Sequence, residues 1–192
     1  MVRRPLGAEW RDEAVRLVDH DPSWPDAYRE EAAALENAIG PWVTGGIHHV
    51  GSTAVPGLSA KPVIDVLVGV ESLEASRPCI ELLEPLQYLY SPYRAEVMHW
   101  LCKPDPSRRT HHLHLVPTGS PRFVEELAFR DYLRAHAEHA RAYEALKRDL
   151  AGRFRHDRGG YTEGKASFVR ELTERAVAWS AQRATTTRDG AE

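Results

Sequence analysis

The feature that most constrains this chain is a carboxylate set inside an apolar strand. Val63-Ile64-Asp65-Val66-Leu67-Val68 is otherwise aliphatic and largely β-branched, the composition of a strand covered on both faces. An ionised Asp is costly to bury without a partner. Asp65 must therefore meet a cation, a cluster of donors, or solvent in a cleft. The residues before it narrow the choice. His48-His49-Val50 ends an earlier strand, Gly51 permits a turn that a side chain would obstruct, and Ser52 caps a short helical turn. Free backbone N–H groups at the start of such a turn suit an anion, above all a phosphate. Strand, Gly-Ser turn, short helical turn and strand thus read as one unit, with Asp65 thirteen positions after Ser52.

Composition removes several classes of function. The 192 residues are 42% hydrophobic and 28% charged, which suits a single globular domain with a real core. The net charge of −3 supplies no overall basic field to recruit nucleic acid. No apolar run approaches membrane-spanning length. Cys79 and Cys102 are not at metal-motif spacing. With no signal peptide they read as buried thiols, and a cytoplasmic protein is expected.

Along the chain, residues 1–14 read as a loose leader, 15–182 as the domain, and 183–192 as a disordered tail. Val15 to Val18 alternates like a short edge strand. Asp21-Pro22-Ser23-Trp24-Pro25 starts a helix that runs to Ile39 and stops at Gly40-Pro41. Trp24 is expected in the core rather than on a ligand. Trp42 to Val50 is a strand. Glu71 to Leu86 carries a helix-like pattern, with Pro78 expected to start its regular part. Tyr88 to Tyr90 is a short strand, Glu96 to Lys103 alternates as a sheet covered on both sides, and Thr110 to Val116 is a further core strand after a Pro-rich turn. From Ser120 the chain is helical, with Phe123, Leu127 and Arg130 on one face and Tyr143, Leu146 and Leu150 as a later stripe. Gly159-Gly160 is expected to break the chain before a last helix from Thr162 to Gln182.

His49-Val50-Gly51-Ser52-Thr53, Pro56-Gly57-Leu58 and Lys61-Pro62-Val63-Ile64-Asp65 resemble the signature of the GrpB family. Asp21-Pro22-x-Trp24-Pro25, Phe129 to His136 and Tyr161-Thr162-x-x-Lys165 resemble further GrpB segments, so the similarity covers about residues 15–178. The resemblance implies an α+β fold of the polymerase-beta nucleotidyltransferase type: a mixed, mostly antiparallel sheet of about five strands packed by helices. It also implies a nucleotidyltransferase-like site for a nucleotide or another phosphorylated small molecule. In that superfamily the second strand carries two acids one residue apart, which together hold divalent metal. Here Leu67 stands where the second acid is expected.

His112 and His114 lie two apart on a strand and face the same way. The superfamily pattern brings that strand beside Asp65. Two readings are open. In the first, Asp65, His112 and His114 hold a divalent metal, zinc or manganese rather than magnesium, and act as the catalytic set. In the second, the imidazoles donate hydrogen bonds to Asp65 and stiffen the cleft. His49, Gly51, Ser52, Lys61, Arg109, Arg130, Tyr161 and Lys165 are the candidate ligand-binding residues. Of the alternating His48 and His49 only one can face the cleft, and the family pattern points to His49. Lys165 either reaches a phosphate or Asp65, or snorkels over the core edge. The alternative function is a non-catalytic ligand-binding or folding-accessory module. A protein partner or a second copy of the chain fits that role.

Overall fold

A computed structural model describes residues 14–189. The expected leader lies outside the described residues but for its last position. Five strands form one sheet: β1 (Val43–Val50), β2 (Ile64–Val70), β3 (Leu89–Ser91), β4 (His99–Pro104) and β5 (Arg109–Pro117), in spatial order β1-β2-β5-β4-β3. β2 and β5 pair in parallel, and every other neighbouring pair is antiparallel. The sheet is mixed and mostly antiparallel, as expected, and the fold is α+β.

One face of the sheet is a dry core. Val66 and Val68 of β2, Leu101 of β4, and Leu113 and Leu115 of β5 pack under helix α1 (Trp24–Ile39). Trp24 is in this core, as its aromatic bulk predicts. Asp21 accepts from the Ser23 N–H, and Pro25 sits in the first turn, where its missing N–H costs nothing. The one charged group that α1 buries, Glu31, is paired. It accepts from the Tyr88 hydroxyl at 2.9 Å and from the Lys103 ammonium, as a buried carboxylate requires.

The opposite face carries Val50, Leu67, Trp100, Cys102 and Val116, with Met98 and Phe123 packed beside them. Over it sit α3 (Pro121–Ala135), α4 (Ala137–Arg153), α5 (Arg158–Gly164) and α6 (Ala166–Asp189). Ser120 caps α3 by accepting from the Phe123 N–H. Between sheet and helices the packing is incomplete and leaves a cavity.

Four boundaries differ from expectation. Val15 to Val18 forms no strand; Val18 makes a single bridge to Ala60. The helix-like stretch from Glu71 to Leu86 yields only α2 (Cys79–Leu82), which begins directly after Pro78 as expected. Ser72 and Ser76 bond the backbone of their own turn, and Pro78 lacks an N–H, so the earlier part cannot propagate. Gly159-Gly160 does not break the chain. Asp157 accepts from the Gly160 N–H and caps α5, which contains both glycines. The break falls instead at Lys165, between α5 and α6. The last helix, expected to end at Gln182, continues to Asp189 through most of the segment read as a tail.

Leu67 is fully buried at the centre of the second face. Leu67→Ala should lower the free energy of unfolding by about 2–5 kcal/mol, measured by denaturant titration. A loss below about 1 kcal/mol would show that this face is loosely packed.

Candidate functional site

The cavity between the second sheet face and the helices has a volume of about 650 Å³, within the range of small-molecule sites. Its floor is set by strand register. Asp65 pairs with His112 across the parallel β2–β5 ladder, and Leu67 pairs with His114. Side chains at these positions all point to one face. His112 donates through Nδ1 to Asp65 Oδ1 at 2.8 Å. His114 donates through Nδ1 to the carboxylate of Glu126 on α3, 3.0 Å from both oxygens. Arg122 holds the same carboxylate from one turn earlier, at 2.6 Å.

Gly51 shows how tightly the turn meets this floor. Its φ is +71°, a conformation that favours glycine, and a Cβ there would overlap the Asp65 carboxylate. The Gly-Ser bend is therefore packed directly against the strand acid.

These groups set one another's charge. Desolvation works against the Asp65 carboxylate, but the His112 hydrogen bond and the charges of His112, His114 and Lys61 together outweigh it and hold the pKa below the usual range. Burial, with the nearby His114 and Arg109 charges, lowers the pKa of His112 against the pull of Asp65. His114 goes the other way. Burial opposes its charge, yet the Glu126 carboxylate prevails and raises its pKa. Glu126 is correspondingly lowered, against its own desolvation, by His114.

The helical wall is cationic. Lys61 lies over the Tyr161 ring at 5.0 Å, and Lys165 over the same ring at 4.8 Å. Burial, reinforced by Lys165 and Arg158, lowers Lys61 to about 8. Lys147 of α4 is 2% exposed. It donates to Ser52 Oγ at 3.0 Å and to the Ser59 carbonyl, and its ammonium sits 4.8 Å from the Tyr143 ring centre. Burial, with Lys165 nearby, lowers it to about 7. Arg109 spreads over the Trp100 indole at 5.1 Å and donates to the Pro106 carbonyl. Among the described residues, Lys61, Lys147 and Lys165 have no carboxylate within ion-pair distance.

Of the residues singled out by sequence, Gly51, Ser52, Lys61, Asp65, Arg109, His112, His114, Tyr161 and Lys165 all line this one cavity. His49 and Arg130 do not. His49 pairs with Val66, so its ring points to the α1 side, stacked on Tyr28 at 4.8 Å and hydrogen-bonded to Thr53 Oγ. Burial there lowers it to about 4. Arg130 grips Asp131 and the His49 carbonyl from behind the turn. His48 takes the other face, against Phe123, but it too stays outside the cavity.

Asp65, His112 and His114, the expected metal ligands, share the cavity floor. Nδ1 of each imidazole is committed to a different carboxylate, and no group of three or more His, Cys, Asp or Glu among the described residues is arranged to hold a metal ion. Of the two readings of the histidines, the geometry shows hydrogen bonding to carboxylates, with Glu126 as the second acceptor.

Lys147, Glu126, Arg122 and Tyr143 join the site without being site candidates by sequence. Lys147 carries a signal. It lies four residues after Tyr143 and three before Leu150, on the buried stripe of its helix. A lysine on such a stripe needs polar partners, and Ser52 and Ser59 supply them. Glu126 has only its place beside Leu127 on the inward side of α3.

The His114–Glu126 pair has a testable titration. The Glu126 contribution to stability is present above the ordinary Glu value of 4.5 and is lost as pH falls through its lowered folded value. The His114 contribution is full below the ordinary 6.5 and is lost as pH rises through its raised folded value. Stabilisation by the pair should therefore be greatest between these ordinary values. In Glu126→Gln, desolvation of His114 goes largely unopposed. Its pKa, followed by NMR, should fall from above 6.5 to below it. No fall would show that Glu126 does not control this imidazole.

Comparison with known proteins agrees with this architecture. The GrpB protein family model matches residues 14–175. YqkA of Bacillus subtilis is 33% identical over 165 residues, which cover 86% of this chain and 48% of YqkA. The chain therefore spans about half the length of that relative. The crystal structure of the conserved protein GrpB from Enterococcus faecalis superposes with a TM-score of 0.79 at 31% identity, covering 86% of this chain and 99% of that one. The Cid1 poly(U) polymerase, solved with Mg and 3′-dATP, superposes with a TM-score of 0.50 at 16% identity, over 71% of this chain and 44% of that one. At that identity the likeness concerns the fold alone. No helix among the described residues is long and apolar enough to cross a membrane. On the match over residues 14–175, this chain belongs to the GrpB family.

Proposed function

We propose that the cavity binds a nucleotide or another phosphorylated small molecule, and that its floor supports nucleotidyl transfer or related phosphate chemistry. The observation that carries this reading is the set of three lysines, Lys61, Lys147 and Lys165, turned onto one cavity without an ion-pair partner of their own among the described residues. Burial is the main cause of the lowered values at Lys61 and Lys147, and the charge of Lys165 adds like-charge repulsion at both. A polyanion entering between them relieves that repulsion. Arg109, planar and stacked on Trp100, adds a fork suited to phosphate oxygens. Asp65, ionised and fixed by His112, stands beside the Gly-Ser bend, where it would orient an acceptor hydroxyl.

A second reading, a binding module without turnover, draws on Leu67. A fully buried leucine occupies the place of the second acid, and the described residues offer no metal-holding group. No step of the proposal is therefore routed through a metal.

The test is a screen of nucleoside triphosphates against the purified protein, read first as a melting shift and then as product. At least one phosphorylated compound should raise the melting temperature, and Lys165→Met, with folding retained, should reduce its affinity about tenfold or more, the loss of one charge-assisted contact. Product formation selects the enzyme, and binding without product selects the module. Failure of every phosphorylated compound to bind would end both.

A further inference from the structure

The Ser52–Lys147 contact is more specific than phosphate binding requires. A lysine that merely attracts an anion works best exposed and charged. Lys147 is instead 2% exposed. It is roofed by the Tyr143 ring at 4.8 Å, tethered to the Ser59 carbonyl, and aimed at one hydroxyl, Ser52 Oγ, at 3.0 Å. The Ser52 hydroxyl also faces that of Tyr143. Ser52 itself lines the cavity. We infer that Ser52 is a nucleophile and Lys147 is its general base, a serine–lysine pair that forms a covalent bond to the ligand.

The geometry suits both partners. A neutral amine has two N–H groups and one lone pair. One N–H serves the Ser59 carbonyl, and the lone pair then takes the Ser52 proton. Two kinds of neighbour set the amine's protonation. Lys165 and Arg148 disfavour the charged form, while Glu144 and Asp65 favour it. Burial is the largest influence and, with Lys165 and Arg148 on its side, brings the group to about 7, where a base is most effective near neutral pH. Serine activated by an adjacent base is an established route to covalent catalysis, and lysine can fill that role.

The choice of phosphorus as electrophile rests on the function proposed for the cavity; the serine–lysine pair does not. In the step, Ser52 Oγ forms a bond to phosphorus. The bond from phosphorus to the leaving oxygen breaks, and its electron pair stays on that oxygen. The Ser52 proton passes to Lys147 Nζ, which returns it to the leaving oxygen. Lys61 and Lys165 stand where charge builds on the phosphoryl oxygens. The product is a seryl phosphoester.

A fluorophosphonate probe tests the pair without any natural ligand. Attack by Ser52 expels fluoride and leaves a stable ester that mass spectrometry maps to one residue. At about pH 8 the whole protein should be labelled at Ser52, and labelling should slow as pH falls below about 7. Ser52→Ala should lose the label. Lys147→Met and Lys147→Arg should slow labelling about 100-fold or more, the lower range of general-base catalysis, with folding checked by melting. Lys147→Arg keeps a cation but supplies no base, so it separates proton transfer from charge. No label on Ser52 in the unaltered protein, or labelling of both Lys147 variants at the rate of the unaltered protein, would overturn the inference. Labelling with no binding of phosphorylated compounds would keep the pair and reject phosphorus as its natural electrophile.

Discussion

The structure depends on how one carboxylate is accommodated. Asp65 sits on a strand with Ile64 and Val66 buried on either side, where an unpaired charge would cost several kcal/mol. Three things make it tolerable. Parallel pairing of β2 with β5 sets His112 directly opposite, 2.8 Å away. The neighbouring turn carries no side chain at Gly51, so the backbone closes against the acid without a clash. The helices stop short of the sheet at this point and leave the cavity open above it. Each of these is a constraint on the fold. The strand order, the glycine and the incomplete packing all answer to the same charge.

The cavity then divides electrostatically along a structural line. On the sheet side, Asp65 is matched by His112, and Glu126 by His114 and Arg122. These charges are largely neutralised within the protein. On the opposite wall, Lys61, Lys147 and Lys165 are held by carbonyls, a hydroxyl and aromatic faces rather than by carboxylates. That wall is therefore net positive, although the chain carries −3 overall. Local arrangement, not total charge, decides what such a cleft attracts.

How much of this is legible in the sequence depends on the range of the interaction. Elements with local signals are readable. The Gly51-Ser52 bend, the strands around Asp65 and His112, and the buried place of Trp24 stem from turn chemistry, alternation and aromatic bulk. Strand parity and the parallel pairing bring Asp65, His112 and His114 to one cavity, and Gly51, Ser52, Lys61, Arg109, Tyr161 and Lys165 reach it from turns, helices and the start of β5. His49 fails on the same rule that succeeds elsewhere. Parity allows His48 or His49 to face the cleft; the register puts His49 with the α1 layer and packs His48 against Phe123. Glu126 and Lys147 make contacts between distant parts of the chain; the spacing of Lys147 from Tyr143 and Leu150 marks it as inward-facing, but no spacing within one segment announces its partner Ser52, or that of Glu126. Gly159-Gly160 looks like a break yet is helical, because glycine's helix penalty is only about 1 kcal/mol per residue, which the Asp157 cap helps to offset.

Leu67 and His114 explain why the site differs from one built on paired strand acids. They face each other across β2 and β5. An acid at position 67 would leave a carboxylate beneath α3 and compete with Glu126 for the same imidazole. With leucine there, the floor is apolar at that point, and His114 turns to α3 instead. The second carboxylate near the floor thus comes from a helix, at Glu126, and is consumed by an ion pair with His114 and Arg122. That leaves Asp65 as the single strand acid facing the bend. Polar work at the bend falls to the groups that reach it from the other wall. Lys147 reaches Ser52 from that wall, and it does so from within the helical layer rather than from the surface.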